Sequence, residues 1–155
     1  MANSSYRTKK FHSGFVKKSV IINAQPEKVW NKVSNIFGLG QWVIDIKKTL
    51  PLSKSKRGVG TIRKIIFNDG NIVEEHVVAW KNKSYFSYIA VSGLPLRVYH
   101  ATISTQPLKK KSVKITWQSY LNSKKMTKKE FSEFVTFLEK FYQESLMNLK
   151  SKLES

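Results

Sequence analysis

The C-terminal segment 127–154 has the pattern that most restricts the fold of this chain. Its large apolar residues recur at steps of three and four, which is the spacing of one face of an α-helix. These residues are Phe131, Phe134, Val135, Leu138, Phe141, Tyr142, Leu146 and Leu149. Thr127 and Glu130 have the spacing of a capping box, so we expect the helix to begin there. A helix this long with a single apolar face needs a sheet against which that face can pack.

The segments upstream of this helix are predicted to be strands. They cover residues 15–24, 43–52, 58–67, 71–80, 84–91, 94–105 and 112–121, and turn clusters separate most of them. Between the first two strands, Pro26 suits the first turn of a short helix, and Gly38 and Gly40 stop a second helical turn. The sequence therefore predicts an α+β fold. A curved seven-stranded antiparallel sheet wraps around the long C-terminal helix, with two short helices after strand 1.

Alternation along the strands predicts which side chains face the helix. In segment 71–80, Glu75 falls on the inner face with small apolar residues, whereas Trp80 falls on the outer face. Tyr99 shares its face with Ala101. In segment 58–67 both faces are largely apolar, so alternation does not decide the side of Arg63. The predicted interior thus combines many aromatic residues with a few polar ones, which is the composition expected of a ligand cavity.

Length and composition indicate one domain. The chain has 155 residues, of which 41% are hydrophobic, enough for a sizeable core. Residues 1–13 are polar and basic and are predicted to be a loose tail, which leaves 14–155 as the domain. The absence of cysteine excludes disulfides, thiolate metal ligands and cysteine nucleophiles. The histidines are isolated in sequence, so we expect neither a metal nor a cofactor. No signal peptide or membrane span is apparent, and a cytoplasmic location is the expectation.

The charge balance suggests an anionic partner as an alternative. The chain has 28 lysines and arginines against 10 acidic residues, a net charge of +18. Such a charge attracts nucleic acids and anionic surfaces. However, the lysines occur as scattered pairs and triplets at predicted turns, and no aromatic residues are interleaved with them to stack on bases. Nucleic-acid binding is therefore less favoured than small-molecule binding.

The order of elements resembles a known family. The opening "IINAQPEKVWNKVSNIFGLGQW", the strands "GVGTIRKI" and "EEHVVAW", the hairpin "SYIAVSGLPLRVYHATI" and "KITWQSYL" look like the polyketide cyclase and dehydrase-like branch of the START-related superfamily (SRPBCC). This superfamily also contains the birch-pollen allergens. The resemblance covers about residues 15–153 and implies a helix-grip fold around a ligand cavity.

Within that superfamily, the stretch 60–121 is similar to the plant lachrymatory factor synthases, which are cofactor-free enzymes. The positions that match their pattern are Gly60, Arg63, Glu75, Tyr88 and Tyr99. The resemblance implies that Arg63 and Glu75 take part in proton movement and that the two tyrosines shape the pocket. It does not imply the same substrate.

Three interpretations of Arg63 and Glu75 remain open at this point: a structural ion pair, a ligand-orienting pair and a catalytic pair. The favoured function is binding of a small apolar or amphipathic molecule of lipid, polyketide or aromatic type, in a carrier or sequestration role. The alternative is a cyclase, dehydratase or isomerase that uses the two residues as its catalytic pair. The predicted ligand-binding residues are Arg63, Glu75, Tyr88, Tyr99, Trp42, Trp117, Phe134 and Leu138.

Overall fold

The computed structural model describes residues 11–123 and 125–155. The strands are β1 (Ser13–Ile22), β2 (Ile46–Pro51), β3 (Ile62–Phe67), β4 (Ile72–Lys81), β5 (Tyr85–Ser92), β6 (Leu96–Pro107) and β7 (Val113–Ser123). The helices are α1 (Pro26–Val33), a 3-10 helix at Ile36–Gln41 and the long α2 (Lys128–Glu154). The predicted order of one strand, two short helices, six strands and one long helix is confirmed.

All seven strands form one curved antiparallel sheet in the order β1-β7-β6-β5-β4-β3-β2. The predicted α+β helix-grip fold is therefore confirmed. Helix α2 packs along β1 and β7 on the inner face of the sheet. Thr127 caps it by the predicted capping box with Glu130. The helix buries its apolar stripe from Phe131 to Leu153 against the sheet, which joins helix and sheet in one core.

The pairing of β3 with β4 decides the side on which Arg63 lies. Thr61, Arg63 and Ile65 are buried on the inner face, while Ile62 and Lys64 alternate with them on the other side. Arg63 lies directly opposite Glu75 in the antiparallel register. The sequence did not decide which face of β3 is the inner one, because both faces are apolar. The pairing of β3 with β4, which sets Arg63 opposite Glu75, decides it.

The expectation for Trp80 was wrong. A register shift between Val77 and Ala79 inserts one extra residue into β4 opposite β5. Because one inserted residue reverses the alternation beyond it, Trp80 turns inward and packs against Trp30 and Phe86. A bulge of this kind leaves no signal in the alternating pattern.

The predicted N-terminal tail lies for the most part outside the described residues. The part that is described is ordered against the sheet: His12 exchanges hydrogen bonds with Ser123, and β1 begins at Ser13. None of the described helices is long and apolar enough to cross a membrane. Within residues 11–123 and 125–155, no group of three or more metal-ligating side chains comes together.

Candidate functional site

A cavity of about 400 Å³ lies between the inner face of the sheet and helix α2. Its wall is mainly aromatic and aliphatic. The helix contributes Phe134, Phe137, Leu138 and Phe141, and the sheet contributes Trp117 among others. Helix α2 packs chiefly on β1, and the cavity lies between its Phe134–Phe141 segment and strands β3–β7. The volume falls within the usual range of small-molecule sites.

A buried ion pair is the main polar feature of the wall. Arg63 Nε and Nη2 both donate to Glu75 Oε1, at 2.9 and 2.7 Å. Arg63 Nη1 donates to the carbonyl oxygen of Ile36, at 3.1 Å, at the start of the 3-10 helix. The arginine is 3% exposed and the glutamate 7%. Three hydrogen bonds from two directions therefore fix the guanidinium at the cavity wall.

Burial acts on the charge of Glu75. Removal of the carboxylate from water raises the pKa of Glu75 above its usual value, and the neighbouring Arg63 charge offsets this only in part. The second oxygen, Oε2, receives no hydrogen bond from the described residues. Since Glu75 lines the cavity, Oε2 can accept a hydrogen bond from a molecule inside it. A carboxyl group with a raised pKa beside a fixed cation is suited to proton transfer as well as to ligand orientation.

Tyr88 connects the ion pair to the aromatic wall. The Arg63 guanidinium carbon lies 5.0 Å from the centre of the Tyr88 ring, within cation–π distance. The Tyr88 hydroxyl accepts a hydrogen bond from Trp117 Nε1 at 3.0 Å. Burial raises the pKa of Tyr88, and the nearby Glu75 charge adds to the effect, so the phenol stays neutral. It can therefore donate its own proton to a ligand.

A second pair of tyrosines continues this network toward the helix. The hydroxyl groups of Tyr99 and Tyr142 are hydrogen-bonded to each other, and burial raises the pKa of both. The Tyr142 ring stacks on Trp117 with centroids 3.9 Å apart. Helix and sheet are thus joined at the cavity by polar and stacking contacts together.

The outer part of the cavity wall is more polar and partly exposed. Phe137 is 60% exposed while it lines the cavity. Asp45, Asn68 and Asp69 line the same region, where the β3–β4 hairpin approaches the helix. The turn is held by a hydrogen bond from the Asn71 backbone N–H to Asp69 Oδ1, at 2.9 Å. We take this region as the mouth of the cavity.

The predicted site residues are placed as follows. The structure brings together on the cavity wall Arg63, Glu75, Tyr88, Tyr99, Trp117, Phe134 and Leu138. Trp42 does not lie on the wall: it is fully buried, and its ring centre is 5.4 Å from that of Trp117. Trp42 contacts the site only through Trp117. It precedes β2 in a turn, where no alternation fixes the direction of a side chain, so the sequence did not predict its position.

Sequence reasoning did not single out Tyr142 and the residues of the mouth. Tyr142 was assigned to the apolar stripe of the helix, where its position is correct but its hydroxyl was overlooked. The sequence did contain a signal for Tyr142. A tyrosine on the most buried side of a stripe of Phe and Leu has a hydroxyl that needs a hydrogen-bond partner in the interior. The mouth residues Asp45, Asn68 and Asp69 lie in turns, which carry no periodic pattern.

Comparison with known proteins places this geometry in a family. Residues 15–154 match the model of the polyketide cyclase / dehydrase and lipid transport family. The chain belongs to this family. The match covers nearly the whole described chain, including the sheet, the helix and the cavity between them, and it bears out the resemblance to the SRPBCC superfamily.

Solved structures with the same fold come from several bacteria. XoxI of Bacillus cereus is 19% identical with a TM-score of 0.79, and the match covers 90% of this chain and 95% of that one. An uncharacterised protein of Bacillus thuringiensis is 18% identical with a TM-score of 0.79, covering 92% and 100%. A protein of Nitrosospira multiformis is 17% identical with a TM-score of 0.77, covering 92% and 97%.

At these identities the likeness shows the fold of the family member and no more. No curated protein matches the chain. The fold is consistent with ligand binding and with cyclase chemistry. The finer similarity to lachrymatory factor synthases stays a prediction.

Proposed function

We propose that this family member binds a small hydrophobic or amphipathic molecule in the cavity between the sheet and α2, as a carrier or sequestering protein. The observation that carries the proposal is the aromatic cavity of about 400 Å³ with one fixed, buried cation on its wall. An apolar wall with a small number of polar groups is the usual composition of a ligand site.

The polar groups favour a ligand with one anionic or carbonyl group. One N–H on each terminal nitrogen of Arg63 has no acceptor among the described residues, so the guanidinium can bind an oxygen of the ligand while it holds Glu75. Tyr88 can donate from its hydroxyl to the same group. The rest of the ligand then lies against Trp117 and the phenylalanines of α2, where flat rings suit a planar or aromatic body.

The test is native mass spectrometry of the purified protein, followed by extraction and identification of any bound molecule. Leu138 lines the cavity on the helix side, so Leu138→Trp should fill the space without opening the core. Met147→Trp is the matched control, because Met147 lies on the same helix, is 47% exposed and is absent from the cavity wall. The expected result is an adduct on the wild type and the control that is lost in Leu138→Trp. An adduct that persists in a folded Leu138→Trp variant would overturn the proposal.

A second candidate function is catalysis without a cofactor, of the cyclase, dehydratase or isomerase type. It is favoured by the free oxygen of Glu75 and its raised pKa beside Arg63, which could stabilise negative charge developing on a substrate. If Glu75 moves a proton, the extracted ligand incubated with the protein in D2O should gain deuterium or change mass. Glu75→Gln should abolish that change while it still binds the ligand. Equal exchange by the variant would exclude Glu75 as the proton carrier.

A further inference from the structure

The outer face of the sheet carries an aligned row of aromatic and apolar side chains. Register partners on six neighbouring strands form it: Phe15, Tyr120, His100, Ile89, His76 and Ile62. Phe15 is 77% exposed, and its ring centre lies 5.4 Å from that of Tyr120. His100, on the next strand, is exposed as well. Three rings from three strands thus lie side by side on a surface that has no packing partner within the described residues.

A fourth ring and a guanidinium extend this aromatic row at one end. Arg97 stacks over the ring of Phe11, with the guanidinium carbon 3.8 Å from the ring centre. Its Nε donates to Asn122 Oδ1 at 2.7 Å, and Asn122 Nδ2 donates to the Tyr120 hydroxyl at 3.2 Å. This chain of contacts holds a planar cation beside the rings, and its terminal nitrogens have no acceptor among the described residues.

Acidic residues are unevenly distributed between the two sides of the molecule. No residue of β1, β5, β6 or β7 is acidic. Half of the acidic residues lie on α2 instead: Glu130, Glu133, Glu139, Glu144 and Glu154. Lys17 and Lys114 project from the same outer face as Phe15. Lys17 lies two residues after Phe15 on β1, and Lys114 lies six residues before Tyr120 on β7, so both spacings are even. The part of the aromatic row on β1, β7 and β6 therefore lies in a basic field with cations on both sides of it, whereas at the β4 end Glu74 pairs with His76.

We propose that this outer face binds single-stranded nucleic acid. The rings of Phe15, Tyr120 and His100 would stack on unpaired bases, while Arg97 and Lys17 would contact phosphates. The basic clusters of the sequence had no interleaved aromatic residues, because the rings come from separate strands and meet only in the folded sheet. Strand pairing supplies the combination of stacking platforms and cations that the linear sequence lacks.

The nature of the row favours unpaired bases over a lipid surface or a duplex. Beside its rings lies the exposed Gln118, whose amide can meet base edges but gains nothing in a bilayer. A duplex hides the faces of its bases, so it would leave the rings without partners and could use only the charges. The exposed rings therefore favour a single-stranded nucleic acid, whose unpaired bases can stack on them.

The test is fluorescence anisotropy with a labelled single-stranded RNA of about ten nucleotides, a length within the usual site size. Phe15→Ala should weaken binding by about tenfold, the order of one lost base–aromatic stack. Lys17→Gln should lower the slope of log Kd against log salt by about 0.7, the value for one phosphate contact on a single strand. Phe15 and Lys17 are exposed, so neither change disturbs the core.

The controls lie on the opposite side of the molecule. Met147→Ala and Lys140→Gln remove an exposed apolar group and an exposed charge from α2, and both should bind RNA as the wild type does. Wild-type affinity of Phe15→Ala would overturn the proposal, as would equal affinity for a duplex of the same sequence. Binding to phosphatidylserine vesicles that depends on Phe15, without binding to RNA, would also overturn it and assign the face to membranes.

Discussion

Replacement of Arg63 by methionine tests the buried ion pair most directly. Methionine keeps much of the length and apolar volume of the arginine stem and removes the charge. Glu75 then loses both of its hydrogen bonds from the guanidinium, at 2.9 and 2.7 Å, and stays 93% covered by protein, since its exposure is 7%. The variant therefore isolates the energy of one buried carboxylate without its partner.

The expected loss of stability is large at neutral pH. Removal of one member of a buried ion pair destabilises a protein by about 3–5 kcal/mol, because the remaining charge is uncompensated. In a domain of this size that loss lowers the Tm by roughly 6–20 °C. Replacement of both residues, as in Arg63→Met with Glu75→Leu, should recover most of the loss, since no buried charge is then left unpaired.

The loss of stability in Arg63→Met should also depend on pH. The shift in the pKa of Glu75 determines whether the loss grows or shrinks as pH rises. Burial raises that pKa above 4.5, and loss of the Arg63 charge raises it further. A carboxyl group whose pKa is higher in the folded state stabilises the protein fully below its unfolded pKa, and this contribution is lost as pH rises through the folded pKa. Between the two values, stability falls by up to about 1.4 kcal/mol for each pH unit. The Arg63→Met variant should therefore lose stability as pH rises through the raised pKa of Glu75 and regain it as pH falls toward 4.5.

Urea unfolding followed by circular dichroism measures these differences at a series of pH values. The control is Arg63→Met in a Glu75→Gln background, where position 75 no longer titrates and the pH dependence that Glu75 causes should disappear. Lys150→Met, which breaks an exposed pair with Glu154 of the same 2.7 Å length, should leave the unfolding midpoint near that of the wild type. If Arg63→Met lowers stability by less than about 1 kcal/mol, or equally at every pH, Glu75 is not a buried charge and the description of the site is wrong.

Three further results are expected. Tyr142→Phe leaves the buried Tyr99 hydroxyl without its partner and should lower the free energy of unfolding by about 1–3 kcal/mol, measured by urea titration; an unchanged midpoint would contradict the contact. Gly93→Ala should prevent correct closure of the β5–β6 turn, because Gly93 has a φ of +97° and a Cβ would collide with the backbone of β4; a wild-type melting curve would contradict this. A fluorescent aromatic sulfonate should bind the cavity more tightly as pH falls through the raised pKa of Glu75, since protonated Glu75 no longer competes for Arg63. Its affinity should be independent of pH in Glu75→Gln, and a flat wild-type profile would remove Glu75 from the site.

The fold followed from the sequence because two local periods are strongly marked. The apolar stripe from Phe131 onward specifies one long helix, and the turn clusters divide the rest into strands of nearly the observed length. Both signals are local, since they depend on residues a few positions apart. The bulge before Trp80 is not local in this sense, because it arises from how β4 matches β5, and the sequence of one strand does not carry that information.

Inward positions of candidate site residues could be predicted where resemblance and alternation agreed; that these residues form a functional site stays a prediction. Glu75 and Tyr99 lie on strands in which buried and exposed residues alternate, so the flanking residues show which face is the inner one. Arg63 needed the family resemblance, because Ile62 and Ile66 make the outer face of β3 as apolar as the inner one. Trp42 was misplaced since it lies in a turn, where a large ring can be buried either at the cavity wall or behind it.

The two proposed sites use opposite faces of the same strands, so they can be separated by experiment. On β7, Trp117 faces the cavity while Gln118 and Tyr120 face outward, because successive side chains of a strand point to opposite sides. Phe15→Ala should therefore leave the cavity ligand bound, and Leu138→Trp should leave nucleic-acid binding intact. If either variant abolishes both activities in a folded protein, the two sites are coupled through the sheet. In that case loading of the cavity would alter the affinity for the strand, and by thermodynamic linkage the strand would alter the affinity for the cavity ligand by the same factor.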